Sequence, residues 1–192
     1  MRSADAEVFA ALGRAFGALG ARWYVFGAQA AILYGAVRLT EDVDATVDPG
    51  GHSTADIVEA LAREGIALRV PDADGFVERT RVLPLVHGPT DVPVDVVLSG
   101  PGLEELFFER VRFEEIEGVK VPVASPEDVV TMKILAARPK DIEDALAILT
   151  AAGDRLDLGL VEDTLHMLER ALDQSDLVPC LHELRGRADR RG

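Results

Sequence analysis

The chain has 192 residues, 48% of them apolar, a single cysteine (Cys180) and a formal net charge of −14. So large an acidic surplus argues against general affinity for nucleic acid, which depends on neutralising phosphates with Lys and Arg. No apolar run is long enough for a transmembrane helix, and one cysteine forms no internal disulfide.

The N-terminal stretch MRSADAEVFAALGRAFGALG sets Asp5 and Glu7 ahead of its apolar residues, unlike a signal peptide, so a reducing cytoplasm is the expected compartment. Residues 5–20 read as an amphipathic helix with Val8, Leu12, Phe16 and Leu19 on one face. WYVFG (23–27) reads as a strand closed by glycine, with Trp23 and Tyr24 in the core, and AQAAILYG (28–35) as a short helix stopping at Gly35. A strand over 42–47 meets the turn DPGG, Ser53 caps a helix to about Glu64, and IALRV (66–70) is a further strand. A polar loop is expected over 71–76, then RTRVLPLVH and VPVDVVLS as a hairpin about GPTD, with a structural role for His87. A short helix over 102–110 and two small strands about Gly118 complete a sheet domain spanning 1–124. From Ser125 on only helices are predicted. SPED has a capping-box arrangement, Pro139 starts a second helix, and residues 157–173 and 176–185 suggest two more. RGRADRRG at the end reads as a frayed basic tail of this helical unit, 125–192.

The chemistry is carried by carboxylates. Side chains at i and i+2 on a strand share a face, so Asp42 and Asp44 stand together while Val43, Ala45 and Val47 face apolar packing. Asp95 sits between Val94 and Val96 in a second apolar strand, where an unpaired charge is costly. Were the strands adjacent, two charges about 4 Å apart would repel by roughly 4 kcal/mol at an effective dielectric near 20. A divalent ion such as Mg²⁺ or Mn²⁺ relieves that repulsion, and two such ions suit phosphoryl transfer. A DxD pair alone is more often a solvated strand end than a metal site. The metal reading therefore needs all three to converge, with none locked to a basic residue. Gly27, at a strand-to-helix junction, offers helix-start N–H groups that attract phosphate, although no GxxxxGK[ST] loop occurs. Arg38 has two readings, a phosphate contact or a pair with Glu41. Lys133, Lys140 and Asp144 recur at helical spacing, and an ordinary Lys140–Asp144 pair would explain part of that stripe. The four histidines are scattered without metal-ligand spacing, and no GxSxG appears.

The segment FGAQAAILYGAVRLTEDVDATV resembles the signature of DNA polymerase β-like nucleotidyltransferases, a glycine turn and helix followed by a DxD strand. Arg38 and Thr40, with SPEDVVTMKILAARPKDIEDALAIL downstream, look most like the minimal branch that includes AbiEii-type toxins of toxin–antitoxin systems. The resemblance covers about residues 23–150 and implies an α/β (α+β) fold, a mixed sheet flanked by helices with a small helical unit after it. It implies a transferase that moves a nucleoside monophosphate from an NTP to a hydroxyl on RNA, protein or a small molecule; no membrane partner is expected, since the chain lacks a long apolar run. A neutralising antitoxin would be the partner. Asp42, Asp44 and Asp95 would hold Mg²⁺ or Mn²⁺, and Asp95 would help deprotonate the acceptor. Gly27 and Ala28 would lie by the triphosphate, with Arg38 and Thr40 nearby. Lys133 would contact the nucleotide, supported by Lys140, Asp141 and Asp144. The sequence departs from the family at Ala28, where Gly or Ser is usual and a phosphate-binding hydroxyl is lacking. The alternative is a non-catalytic module that binds nucleotide or a partner on the same fold.

Overall fold

The computed structural model describes residues 2–70 and 74–190. By their contacts they form two compact units, one built of residues up to Gln29 and Thr40–Ala124, the other of Ala30–Leu39 and the residues from Ser125 on.

The first unit contains a mixed sheet of seven strands: β1 (Trp23–Val25), β2 (Val43–Val47), β3 (Ile66–Leu68), β4 (Val82–His87), β5 (Val92–Leu98), β6 (Arg112–Ile116) and β7 (Val119–Val123). Their order is β3-β4-β5-β2-β1-β7-β6. β2 runs parallel to β5 and antiparallel to β1, and β1 is parallel to β7. β4 and β5 form the predicted hairpin, and His87 at its turn is buried with Nδ1 2.7 Å from Thr90 Oγ1. Period-two alternation places Val43, Ala45, Val47, Val94, Val96, Leu83 and Leu85 in fully buried positions.

Helix α1 (Ala4–Leu19) begins at the Ser3 cap and ends at Gly20 in the left-handed conformation. It lies against β2, β5 and β7, burying Val8, Phe9, Leu12 and Phe16, and α3 (Thr54–Arg63) packs beside it. A complete capping box at Ser53 and Asp56 starts α3. Between them α2 (Gly27–Leu33) follows β1 directly. One expectation fails here. Where a polar loop over 71–76 and a strand from Arg79 are predicted, Asp74–Thr80 forms helix α4 and β4 starts at Val82; residues 71–73 lie outside the described set. Val77 turns inward on α4, and the Thr80 hydroxyl donates to the Phe76 carbonyl while accepting from the Val82 N–H, so about two turns of helix replace loop and extended chain. Helix α5 (Leu103–Arg110) buries Phe107.

The second unit holds α6 (Pro126–Ala136), α7 (Pro139–Ala152), α8 (Leu158–Leu172) and α9 (Leu177–Asp189). Ser125 caps α6 by accepting the Asp128 N–H, and its hydroxyl donates to the Asp128 carboxylate at 2.8 Å. Helix α6 is buried nearly all round, which a helix tolerates only when its polar side chains find partners. Glu127 accepts the Asp157 N–H, Thr131 donates to the Glu127 carbonyl, and Lys133 meets two carboxylates. Among the described residues no buried side-chain polar atom lacks a partner. The C-terminal stretch corrects a second expectation, because α9 continues to Asp189 where a frayed tail is predicted from Arg185. Leu184 and Ala188 are buried, and Arg185 donates to the Gly153 carbonyl and the Asp154 carboxylate. Among the described residues no helix is long and apolar enough to cross a membrane.

Candidate active site

In the first unit the two aspartate strands are neighbours. Asp44 on β2 is paired in register with Asp95 on β5, and directly paired residues of adjacent strands share a face. Asp42 lies just ahead of β2, two residues from Asp44 and so on the same side. The Thr40 hydroxyl donates to Asp42 Oδ1 at 2.5 Å, which makes Thr40 a support of that carboxylate. On the other side of Asp44 the Phe26 N–H donates to its carbonyl at 3.0 Å, bringing Gly27 against the aspartate. Gly27 has φ +67°, and a Cβ there would collide with the Asp44 carboxyl. Glycine is required twice at this point, for the left-handed backbone and for the space over Asp44. Ala28 follows, buried.

The trio is not uncompensated, which corrects the sequence expectation at Asp95. Arg69 Nη2 donates to Asp95 Oδ1 at 2.7 Å, with side chains 35% and 29% exposed. Burial pushes the Asp95 carboxyl above its ordinary range; the Arg69 charge opposes this and the charge of Asp42 adds to it. Asp42 and Asp95 thus feel one another, and Arg69 takes the balancing place assigned from sequence to a divalent ion, so the expectation that none of the three is locked to a basic residue fails at Asp95. Among the described residues no group of three or more His, Cys, Asp or Glu stands in a ready metal-binding arrangement. The donor set itself, hard carboxylate oxygens on one face, suits Mg²⁺ or Mn²⁺.

In the second unit a separate ionic cluster forms. Lys133 Nζ donates to Asp141 Oδ1 at 2.9 Å and to Asp144 Oδ2 at 2.8 Å. Arg38 Nη1 meets the same Asp144 oxygen at 2.9 Å, and Arg138 Nε binds Asp141 Oδ2. Burial alone would raise the Asp141 carboxyl, but hydrogen bonds from Arg138 and Lys133 outweigh it and leave it below the usual range. Arg38 therefore pairs with Asp144 rather than Glu41, and Asp144 receives Lys133 and Arg38 rather than Lys140. Lys133, expected to contact nucleotide, is buried on these two carboxylates. Lys140 is exposed and, with Val37, Arg38, Glu143 and Asp144, lines a cleft of about 230 Å³.

Sequence reasoning missed Arg69 and gave Arg138 no role. The i, i+3 spacing of Arg138 and Asp141 is a signal for the second. Arg69 carries none, since its partner lies on a strand two places away in the sheet.

Solved structures similar to this chain share the nucleotidyltransferase fold. An antigenic nucleotidyltransferase-like protein from Paracoccidioides brasiliensis is 20% identical with a TM-score of 0.57 over 94% of each chain. The antibiotic-resistance factor ANT(2'')-Ia is 14% identical at TM-score 0.60, over 90% of this chain and 97% of that one. The lincosamide antibiotic adenylyltransferase LnuA, solved with lincomycin bound, is 16% identical at 0.51, over 77% and 96%. A comparison with curated protein sequences finds no match. The family described as nucleotidyltransferase of unknown function (DUF6036) matches residues 18–176, and the chain belongs to it.

Proposed function

We propose that this protein transfers a nucleoside monophosphate from an NTP to a hydroxyl of a small-molecule acceptor and releases pyrophosphate. The observation that carries the reading is the register of Asp44 against Asp95, with Asp42 two residues along and Gly27 clearing the space over Asp44. Divalent ions held by Asp42, Asp44 and Asp95 would neutralise the triphosphate and stabilise the leaving pyrophosphate. Asp95 accepts the acceptor's hydroxyl proton. The freed oxygen bonds to the α-phosphorus as the bond to the bridging oxygen breaks. Thr40 orients the Asp42 carboxylate through its hydrogen bond. The Lys133–Asp141–Asp144 cluster fixes α6 on α7 and anchors Arg38.

A small acceptor is favoured over RNA by the charge of −14. Two of the similar structures are antibiotic-modifying proteins, one of them solved with adenylyl-2''-tobramycin, and they support the same choice by analogy. The resemblance of residues 23–150 to AbiEii-type toxins supports a protein or tRNA acceptor instead, with an antitoxin as partner. A non-catalytic module is favoured by the Arg69–Asp95 pair and by Ala28. Incubation with each α-labelled NTP, Mg²⁺ and panels of hydroxylated small molecules, total RNA and total protein separates the three. Label on a small molecule, reduced at least about a hundredfold by Asp44→Asn, is the expected result. Label on RNA or protein alone supports the toxin setting, and nucleotide binding without transfer to any panel supports the module.

A further inference from the structure

We propose that Arg69 is the resident counter-ion of this site and competes with the divalent cation for Asp95. The inference rests on the reading that Asp42, Asp44 and Asp95 bind that cation.

The geometry is a straight path across the sheet. Arg69 lies one residue past β3, yet its N–H still donates to the Pro84 carbonyl on β4 at 3.0 Å. Pro84 is paired with Asp95, and Asp95 with Asp44. Arg69, Pro84, Asp95 and Asp44 thus stand in one line on four adjacent strand positions. Adjacent strands are about 4.8 Å apart, so Arg69 must reach across Pro84 to touch Asp95. The guanidinium is steadied on the way by the Leu85 carbonyl, 3.4 Å from Nη1, before Nη2 reaches Asp95 Oδ1.

Two physical consequences follow from this placement. The Asp95 lone pairs directed at Nη2 are withheld from any other cation, and a divalent ion approaching them meets a fixed positive charge. The pair is also weak enough to open. Both side chains keep about a third of their surface in solvent, and ion pairs so exposed are worth little. The Lys133 cluster of the second unit, with Asp141 fully buried, has no such freedom. Loading the cation therefore requires Arg69 to leave Asp95, and without a cation the carboxylates keep one positive partner.

The test is direct binding of Mn²⁺, followed by electron paramagnetic resonance, to the full-length wild type and to Arg69→Gln, Arg69→Lys, Asp44→Asn and the Arg69→Gln/Asp44→Asn double variant. Arg69→Gln is expected to bind Mn²⁺ about three- to tenfold more tightly than wild type. Arg69→Lys keeps the charge without the planar fork and should fall between them. The double variant should lose the gain. Equal or weaker Mn²⁺ binding by Arg69→Gln, with binding still dependent on Asp44, overturns the competition and leaves the site reading intact. Mn²⁺ binding indifferent to Asp44→Asn removes the site reading and the competition with it. Far-ultraviolet circular dichroism at the titration temperature confirms that each variant is folded.

Discussion

At the scale of single residues, Gly27 and Gly20 make a controlled pair. Both have φ near +65°, but a Cβ at Gly20 meets nothing within 4 Å while one at Gly27 strikes Asp44. Gly20→Ala is expected to cost about 1–2 kcal/mol, the backbone penalty alone. Gly27→Ala should add about 1–3 kcal/mol of overpacking and should abolish transfer by displacing the carboxylate. Melting temperatures of the two variants, compared with transfer assays, check this; equal losses from both would mean that Asp44 has room to move. Asp42 and Asp44 could be placed on one face from period two alone. Arg69 was invisible, because its partner is set by strand order.

At the scale of elements, the α6–α7 junction shows how burial decides a role. Lys133 is one turn before the end of α6, and Asp141 and Asp144 lie in the first turns of α7. Their spacing on the chain suggests a functional stripe, whereas the fold uses them to join two helices. Lys133→Met leaves two carboxylates buried without their shared cation and should cost about 3–5 kcal/mol. The pH dependence has a definite sign. Because the folded Asp141 carboxyl lies below its ordinary range, its contribution is complete above the unfolded carboxylate value and is lost as pH falls through the folded one. Urea unfolding from pH 7 down to pH 2 should show a shallower acid limb in Asp141→Asn than in wild type; parallel limbs would refute the assignment. Helix α4 and the last turns of α9 escaped the sequence reading for a related reason. Each is held by one or two inward apolar residues, Val77 or Leu184 and Ala188, too few to set a periodic signal.

At the scale of the whole molecule, the charge of −14 opposes compaction through self-repulsion. Exposed pairs such as Arg14–Glu64 and Arg63–Glu59 contribute little against it. Raising NaCl from about 0.02 to about 0.5 M shrinks the screening length several-fold and should raise the melting temperature. A fall instead would mean that local ion pairs outweigh the net repulsion.

Composition, period-two strands, helix caps and the carboxylate pattern were enough to determine an α/β chain with a helical C-terminal part and to single out Asp42, Asp44 and Asp95. These are local signals, each contained within a few neighbouring residues. Only the tertiary structure decided that Asp95 faces Asp44 across a parallel pair, that Arg69 occupies it, and that Lys133 serves two aspartates inside the helical unit. The physical reason is that a charge takes as its partner whatever the folded chain brings within reach, and residues 26 positions apart, such as Arg69 and Asp95, leave no periodic trace of that meeting.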